Sequence, residues 1–452
     1  KKNEDNYFKA LVDLKTEKET LGQYDIDQEL KLQALKYIRL VNKLHNSPAP
    51  VRFKSLIGFR SQDLYFMMIA GQDEIYTSSF TWMFNKMMTE LKEANGKDLL
   101  VLVNNYHFRT FLRMCAGYNT LTPFLATMKE AEKNEIMHQF VSNLEEGEFD
   151  ELEGAVDVAD AYGSIHDENL KTFIKKEVSD NYNRISKLKD TRKQQKGTIV
   201  YGLLSTIFSS ADNPELMNAE LSQFIPPIMH VPNTALKNSE GHIYEVSYFY
   251  GDQDGKTAYA SYISSFNKDP KWKVNTSAYW TTITHEGANP ITIFANRPLP
   301  EETGEDEKAQ KELMKYLNAN EIEPTVVIHR GHSYYLPTTL SYLTESAKIV
   351  MLGSCGGYHS LAVALESSPD AHIISSKQVG ALNVNEPIIK AIDKRLMEGK
   401  DVNWLDLWNE LNQFFSNKTA TQKDLFSDYI PPNRNLGVIF IKAYKKMAAS
   451  LS

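Results

Sequence analysis

Apolar residues recur at a helical spacing through roughly the first 235 residues. Residues 25–45 and 78–96 both place apolar side chains about every 3.6 positions, and the second segment ends on Asn-Gly, a common helix stop. A run of Leu and Val within residues 98–106 interrupts the pattern and predicts a strand. We therefore expect a mostly α-helical N-terminal region with one strand-like segment.

The pattern changes after about residue 235, where short apolar runs alternate with amphipathic segments. The runs that predict strands fall at 242–250, twice within 277–298, and at 324–329, 346–352 and 371–376. The segments that predict helices are 256–266, 301–320, 358–368 and 385–399. This alternation indicates an α/β domain with a mainly parallel sheet and helices on its faces.

Two polar stretches lie between the helical pattern and the alternating strand–helix pattern, and both have the composition of linkers. Residues 186–197 are charged and poor in apolar side chains, and residues 224–242 are rich in Pro, Asn and Gly. We expect a mostly helical region over 1–235 and an α/β domain over 236–452. The large helical region suits binding, so we expect it to bind a partner. The charged stretch 187–196 is a candidate processing site because nicking concentrates in exposed segments, and the alternative is that it only solvates a helix end.

Composition narrows the classes of function. The chain has 452 residues, 42% apolar and 24% charged, and a formal net charge of −8. This charge gives no electrostatic reason to expect nucleic acid as the main partner. No apolar run approaches the roughly 20 residues that cross a bilayer. The first residue is Lys1 rather than Met, which is compatible with a removed export signal, so a periplasmic or secreted location is one expectation and the compartment stays open.

One of the two cysteines occupies a turn that follows an apolar strand. Cys355 stands in "IVMLGSCGG", and the preceding strand, "TVVIHRGHS", ends in His329 and His332. Ligands and chemistry gather beyond the carboxyl ends of parallel strands, so we expect these side chains to lie near one another. A thiolate is a nucleophile, and a neighbouring imidazole and a helix N-terminus favour its formation. The alternative is that Cys355 is a small, buried apolar residue at a tight turn.

These two motifs resemble the clan CD cysteine peptidases, which include caspases, legumains, gingipains, clostripain and separases. In that group an apolar strand ends in His-Gly or Gly-His-Gly, and the next apolar strand ends in a small residue followed by Cys. The segment after Cys355 also resembles the corresponding part of separases and CHAT-type domains, and the resemblance covers about residues 245–415. It implies a caspase-like α/β/α sandwich and a cysteine peptidase that needs no cofactor or metal and acts on a peptide or protein substrate.

The resemblance also implies roles for individual residues. Cys355 is the nucleophile, and His332 is the imidazole that promotes attack and protonates the leaving amine, with His329 as the alternative. The backbone N–H groups of Gly331 and Cys355 form the oxyanion hole. Ser333 departs from the motif because it replaces the Gly that usually follows the His.

The same resemblance places the first substrate pocket at three segments. They are the loop after the first strand, the residue before the Cys motif and the strand after it, which here are Asp252, Asp254, Gly353, Ser375 and Ser376. Two carboxylates at the rim favour a cation, so we expect cleavage after Arg or Lys. The alternative is that the aspartates cap the helix that follows them.

Two other functions fit the sequence. Gly353-Ser354-Cys355-Gly356-Gly357 matches the G-x-C-x-G nucleophile elbow of class I amidotransferases, which would take its histidine from His359 or His372. A peptidase-like domain can also lose activity and serve as a scaffold or binding protein. Reactivity of Cys355 toward a substrate-like electrophile distinguishes an enzyme from such a scaffold.

Overall fold

The computed structural model describes residues 2–17, 23–45, 47–72, 74–91, 95–165, 167–377 and 379–450. The chain divides into two compact units, Lys1–Ser209 and Ser210–Ser452. The observed division at 209/210 comes earlier in the chain than the expected boundary at 235/236, which falls in a short 3₁₀ helix, Asn233–Leu236.

Within the described residues, the regular elements of the N-terminal unit are all helices. Its α-helices are α1 (Lys2–Thr16), α2 (Gln23–Lys43), α3 (Ala49–Arg52), α4 (Ser61–Ala70), α5 (Thr77–Leu91), α6 (Gly96–Leu102), α7 (Phe108–Gly117), α8 (Leu121–Leu125), α9 (Glu130–Val141), α10 (Glu153–Ser164), α11 (Glu168–Ile185) and α12 (Thr191–Ser210). Their inward faces are apolar, as the helical spacing predicted.

The strand predicted within residues 98–106 is wrong, because these residues begin as helix α6. The Asn95 side chain caps the helix by accepting hydrogen bonds from the N–H groups of Lys97 and Asp98, and the Asp98 carboxylate accepts from the Asn95 N–H. This reciprocal cap satisfies backbone donors that a strand would leave unpaired here. It outweighs the β-propensity of the Leu and Val side chains.

The charged stretch 186–197 does not link the two units, because it lies inside the N-terminal unit and half of it belongs to helix α12. Most of its residues are exposed. Lys196 is 1% exposed, and its ammonium donates hydrogen bonds to the carbonyls of Glu146, Glu148 and Glu151. Its charge is held by carbonyl oxygens instead of solvent, which argues against a processing site at its C-terminal end.

The C-terminal unit is an α/β domain. Its helices are α13 (Pro214–Leu221), α14 (Gln253–Asn267), α15 (Glu305–Ala319), α16 (Leu336–Leu340), α17 (Leu361–Ser367), α18 (Leu382–Met397), α19 (Trp404–Ser416), α20 (Ala420–Ser427) and α21 (Leu436–Ala449). Its strands are β1 (His230–Val231), β2 (Ile243–Phe249), β3 (Lys273–Thr276), β4 (Trp280–His285), β5 (Ile291–Asn296), β6 (Val326–Arg330), β7 (Ile349–Leu352), β8 (His372–Ser376), β9 (Val402–Asn403) and β10 (Tyr429–Ile430).

Eight strands form one sheet in the order β10-β8-β7-β6-β2-β5-β4-β3. The five central strands, β8 to β5 in this order, are parallel, and the strands at either end pair antiparallel. The prediction of a mainly parallel α/β sheet is therefore confirmed. The remaining strands, β1 and β9, pair with each other.

Helices cover both faces of this sheet. Apolar side chains of α14, α18, α19 and α20 pack on the face that contains Val326 and Ile328. Helices α15, α16, α17 and α21 pack on the face that contains Val327 and Val350. The chain builds β3 to β5 on one side of β2 and then crosses to the other side for β6, β7 and β8. In open parallel sheets ligands bind beyond the strand ends at such a reversal, here beyond β2 and β6.

Candidate active site

The carboxyl ends of β6 and β7 carry the two predicted catalytic side chains on neighbouring parallel strands. Strand β6 ends at Arg330 and is followed by Gly331 and His332, and β7 ends three residues before Cys355. Gly331 is required because an added Cβ would lie 2.4 Å from the Tyr250 ring. The strand pairing thus brings His332 and Cys355 to one edge of the sheet.

His332 lies against a carboxylate and an aromatic ring. Its Nε2 is 3.3 Å from Asp254 Oδ2, and its ring stacks on Tyr334 with the centroids 5.3 Å apart. Asp254 belongs to the first turn of α14, which follows β2. The pairing of an imidazole with a carboxylate resembles the orienting partner that many catalytic histidines use.

His329 has a different environment, inside strand β6. It is fully buried; Nδ1 is 2.7 Å from Thr339 Oγ1, and Nε2 is 3.2 Å from the Gly331 carbonyl and 3.3 Å from that of His332. Because carbonyls only accept, Nε2 carries the proton and Nδ1 accepts from the Thr339 hydroxyl. Burial lowers the pKa of His329 to about 3. His329 is therefore a neutral residue that holds the turn containing Gly331 and His332.

The Cys355 thiol is partly buried in the turn between β7 and a 3₁₀ helix, Gly357–Ser360. Burial raises the pKa of this thiol, and the Asp254 carboxylate raises it further, whereas the Gly380 N–H hydrogen bond to the sulfur opposes both effects. The helix N-terminus nearest to the thiol belongs to this short 3₁₀ helix, because α17 begins only at Leu361. The free thiol is therefore favoured over the thiolate before substrate binds.

No hydrogen bond joins the Cys355 sulfur to an imidazole within the described part of the chain. Catalytic contacts of this kind are often long without substrate and shorten when it binds. The backbone N–H groups of Gly331 and Cys355 form no hydrogen bond to any other described residue. The Gly331 N–H thus remains available to a ligand, whereas the Cys355 N–H faces its own sulfur.

The predicted substrate-pocket residues do not all face the same way. Ser375 is opposite Leu352 in the pairing of β7 with β8, so it lies on the sheet face of α15, α16, α17 and α21. Gly353 and Ser376 follow these residues and lie on the other face. The space over Gly353 is filled by Asn385, whose side chain donates to the Gly353 carbonyl and accepts from the Tyr429 hydroxyl.

The two predicted anchors for a basic side chain are already engaged. Asp252 caps α14 by accepting a 2.7 Å hydrogen bond from the Gly255 N–H, as the capping alternative proposed. Its other oxygen is enclosed and has no hydrogen-bond partner among the described residues. Asp254 contacts His332, as above, and its side chain is 79% exposed.

Sequence reasoning missed two residues at this edge. Gly380 contributes the N–H that faces the sulfur, and Arg330 ends β6 in a buried position. A period-2 reading of β6 would have placed Arg330 on the same face as Val326 and Ile328. In the structure Gly380 packs against the Ser354 backbone, since an added Cβ would lie 2.4 Å from the Ser354 carbonyl carbon. Nothing in the sequence indicates this contact.

The structure excludes one of the two histidines that the amidotransferase alternative could use. His372 is the first residue of β8, at the amino edge of the sheet, and its Nδ1 accepts a 2.8 Å hydrogen bond from the Trp404 indole. It cannot reach a thiol beyond the carboxyl edge. The side chain of His359 lies outside the described part of the structure.

No protein-family model, curated protein or solved structure matches this chain. Within the described residues no helix has the length and apolarity needed to cross a membrane. In the same part of the chain, no group of three or more His, Cys, Asp or Glu side chains is arranged to hold a metal ion.

Proposed function

We propose that the C-terminal unit is a caspase-like cysteine peptidase domain in which Cys355 is the nucleophile and His332 transfers protons. The observation that carries the proposal is the placement of these two residues beyond adjacent parallel strands, beside the backbone N–H groups of Gly331 and Cys355, which bond to no other described residue. The sheet reversal between β2 and β6 supports it, because Asp254, His332 and Gly331 all follow those two strands.

The chemistry follows from these positions. His332 accepts the thiol proton as the sulfur attacks the substrate carbonyl carbon. The resulting oxyanion accepts hydrogen bonds from the N–H groups of Gly331 and Cys355. The carbon–nitrogen bond then breaks, the amine leaves with the proton from His332, and a thioester remains. Water attacks the thioester with His332 as base, which releases the carboxylic acid and returns the proton to the sulfur.

The test is the appearance of new protein termini when the full chain is incubated with denatured proteins, detected by mass spectrometry. Cys355→Ala should produce none, and His332→Ala should slow cleavage by about 100-fold or more. His285→Ala is the matched control, because His285 ends β4 away from this edge, and it should cleave normally. Cleavage by Cys355→Ala at the wild-type rate would remove the proposal.

A catalytically inactive binding protein is the second candidate. The raised pKa of the Cys355 thiol and the missing sulfur–imidazole hydrogen bond in the described structure favour it. In that case the wild type and Cys355→Ala would be equally inactive, and both proteins would remain folded.

A further inference from the structure

A chain of hydrogen bonds beside the Cys355 thiol connects three separate segments. The Tyr429 hydroxyl of β10 donates a 2.8 Å hydrogen bond to Asn385 Oδ1 in α18. The Asn385 side-chain nitrogen donates a 3.0 Å hydrogen bond to the Gly353 carbonyl, just after β7. The same Tyr429 hydroxyl accepts a 3.0 Å hydrogen bond from the Ala381 N–H. Tyr429 thus joins the turn before α18 to the segment that carries Cys355.

The protons of this network have one consistent arrangement. Asn385 is fully buried and Tyr429 is 2% exposed. Burial raises the pKa of Tyr429, so its hydroxyl keeps its proton at ordinary pH and remains a donor to the Asn385 oxygen. A carboxamide oxygen only accepts and its nitrogen only donates, so the amide nitrogen of Asn385 faces the Gly353 carbonyl. Both side chains are therefore committed to holding backbone groups in place.

The turn that Tyr429 holds also supplies the N–H that faces the thiol. Gly380 comes directly before Ala381, and its N–H forms a hydrogen bond to the Cys355 sulfur that lowers the pKa of the thiol. Gly380 also packs against the Ser354 backbone, with no space for a Cβ. The position of this N–H is thus fixed on one side by Ser354 and on the other by the hydrogen bond from Ala381 to Tyr429.

We propose that Tyr429 and Asn385 are positioning residues for the nucleophile: they hold the Gly380 N–H against the Cys355 sulfur, so that the thiolate forms more readily. A hydrogen bond to the charged form of a group stabilises that form. This inference rests on the proposed function for the role of Cys355 as the nucleophile. It adds to that function the residues that control how reactive the sulfur is.

Other groups near this network stay unchanged when the Tyr429 hydroxyl is removed. The charged or titratable groups at the thiol and at this hydroxyl are Asp254 of α14, His332 and Arg330 at the end of β6, and Asp428 beside β10. The Asp254 carboxylate disfavours the thiolate, whereas the N–H of Cys355 itself favours it. Since Tyr429→Phe leaves all of these in place, a change in the ionisation of the thiol reports on the network alone.

The test is the pH–rate profile for alkylation of Cys355 in the full chain by iodoacetamide, an uncharged reagent, followed by mass spectrometry. The thiolate displaces iodide and forms a thioether, so the rate follows the thiolate fraction. Tyr429→Phe should shift the midpoint of the profile upward by about one pH unit, which slows alkylation at pH 7 roughly 10-fold and leaves the limiting rate at high pH unchanged. Asn385→Ala should shift it in the same direction. Tyr316→Phe, which removes an exposed hydroxyl from α15, should leave the midpoint unchanged.

A purely structural role for Tyr429 would give a different result. In that case Tyr429→Phe would unfold at lower urea concentration while the midpoint of its pH–rate profile stayed at the wild-type value, which overturns the inference, as does a downward shift. If Tyr429→Phe does not fold, the profile of Asn385→Ala decides by the same criteria. Wild-type Cys355 that is never alkylated also overturns the inference.

The alkylation rate does not depend on peptide hydrolysis, so the two proposals can fail separately. An upward shift in Tyr429→Phe, in a protein whose wild type cuts no peptide, would support the positioning network and refute the peptidase. An unchanged midpoint in a protein that does cut peptides would refute only the network.

Discussion

At the residue scale, two histidines three positions apart have opposite environments. His329 is enclosed, with both ring nitrogens occupied, whereas His332 contacts the exposed Asp254 carboxylate. The enclosed histidine has a pKa lowered to about 3, so its folded form is neutral at ordinary pH. Its contribution to stability is present above about pH 6.5 and is lost as the pH falls toward 3.

The two histidines should therefore respond differently to substitution. His329→Asn should lower the free energy of unfolding by about 1–3 kcal/mol, because it removes buried hydrogen bonds. His332→Asn should change stability by less than about 0.5 kcal/mol while it removes activity. Urea unfolding at pH 7.5 measures both values. A stable, active His332→Asn protein beside a stable, inactive His329→Asn protein would reverse the assignment.

At the element scale, β2 and α18 face each other through two buried carboxyl groups. Glu245 accepts hydrogen bonds from the hydroxyls of Tyr262 and Ser247, and Asp393 lies beside Glu245. Burial raises the pKa of Glu245 to about 7, and burial and Glu245 raise the pKa of Asp393, while Lys390 partly opposes this. The pair therefore retains a proton at pH values where exposed carboxyl groups have lost theirs.

The sign of the pH dependence follows from the raised values. The folded state binds more protons than the unfolded state, so the stabilising contribution is complete below about pH 4 and is lost as the pH rises through about 7. The free energy of unfolding, measured with urea, should be lower at pH 9 than at pH 6 by a few kcal/mol. Glu245→Gln, which cannot ionise, should flatten this decline. An unchanged slope in Glu245→Gln would show that the pair does not control it.

At the scale of the whole molecule, the α/β unit begins well before its first long strand. Strand β1 pairs with β9, the Asn233 N–H donates to the Asp401 carboxylate, and the Trp404 N–H donates to the Met229 carbonyl. These contacts involve residues before 236, the start predicted from composition. They hold the segment before α19, whose Trp404 is fully buried.

Two fragments test where this unit begins. Residues 210–452 should fold alone with a cooperative transition, whereas residues 236–452 should lose β1 and unfold more readily or aggregate. Thermal unfolding followed by circular dichroism measures the difference. Equal stability of the two fragments would place the functional boundary at 235/236.

Much of the α/β unit was predictable because its strands and helices alternate within short segments. Helix α6 was not predicted, because the cap at Asn95, rather than the apolar pattern, makes this segment helical. The surroundings of Arg330 were also beyond reach, since Glu386 and Tyr429 arrive from α18 and β10, far along the chain. The placement of Cys355 and His332 at one edge could be predicted, because neighbouring parallel strands end at the same edge of a sheet.

The most direct test of the central claim is the rate at which an acetylated tripeptide chloromethyl ketone alkylates Cys355, followed by mass spectrometry of the intact protein and its peptides. The sulfur displaces chloride and forms a thioether. We predict one adduct, on Cys355 and not on the fully buried Cys115, with a rate about 100-fold lower in His332→Ala and unchanged in His285→Ala. Folded His332→Ala protein that alkylates at the wild-type rate, or folded wild-type protein that never alkylates at Cys355, would contradict the assignment of a Cys355–His332 pair.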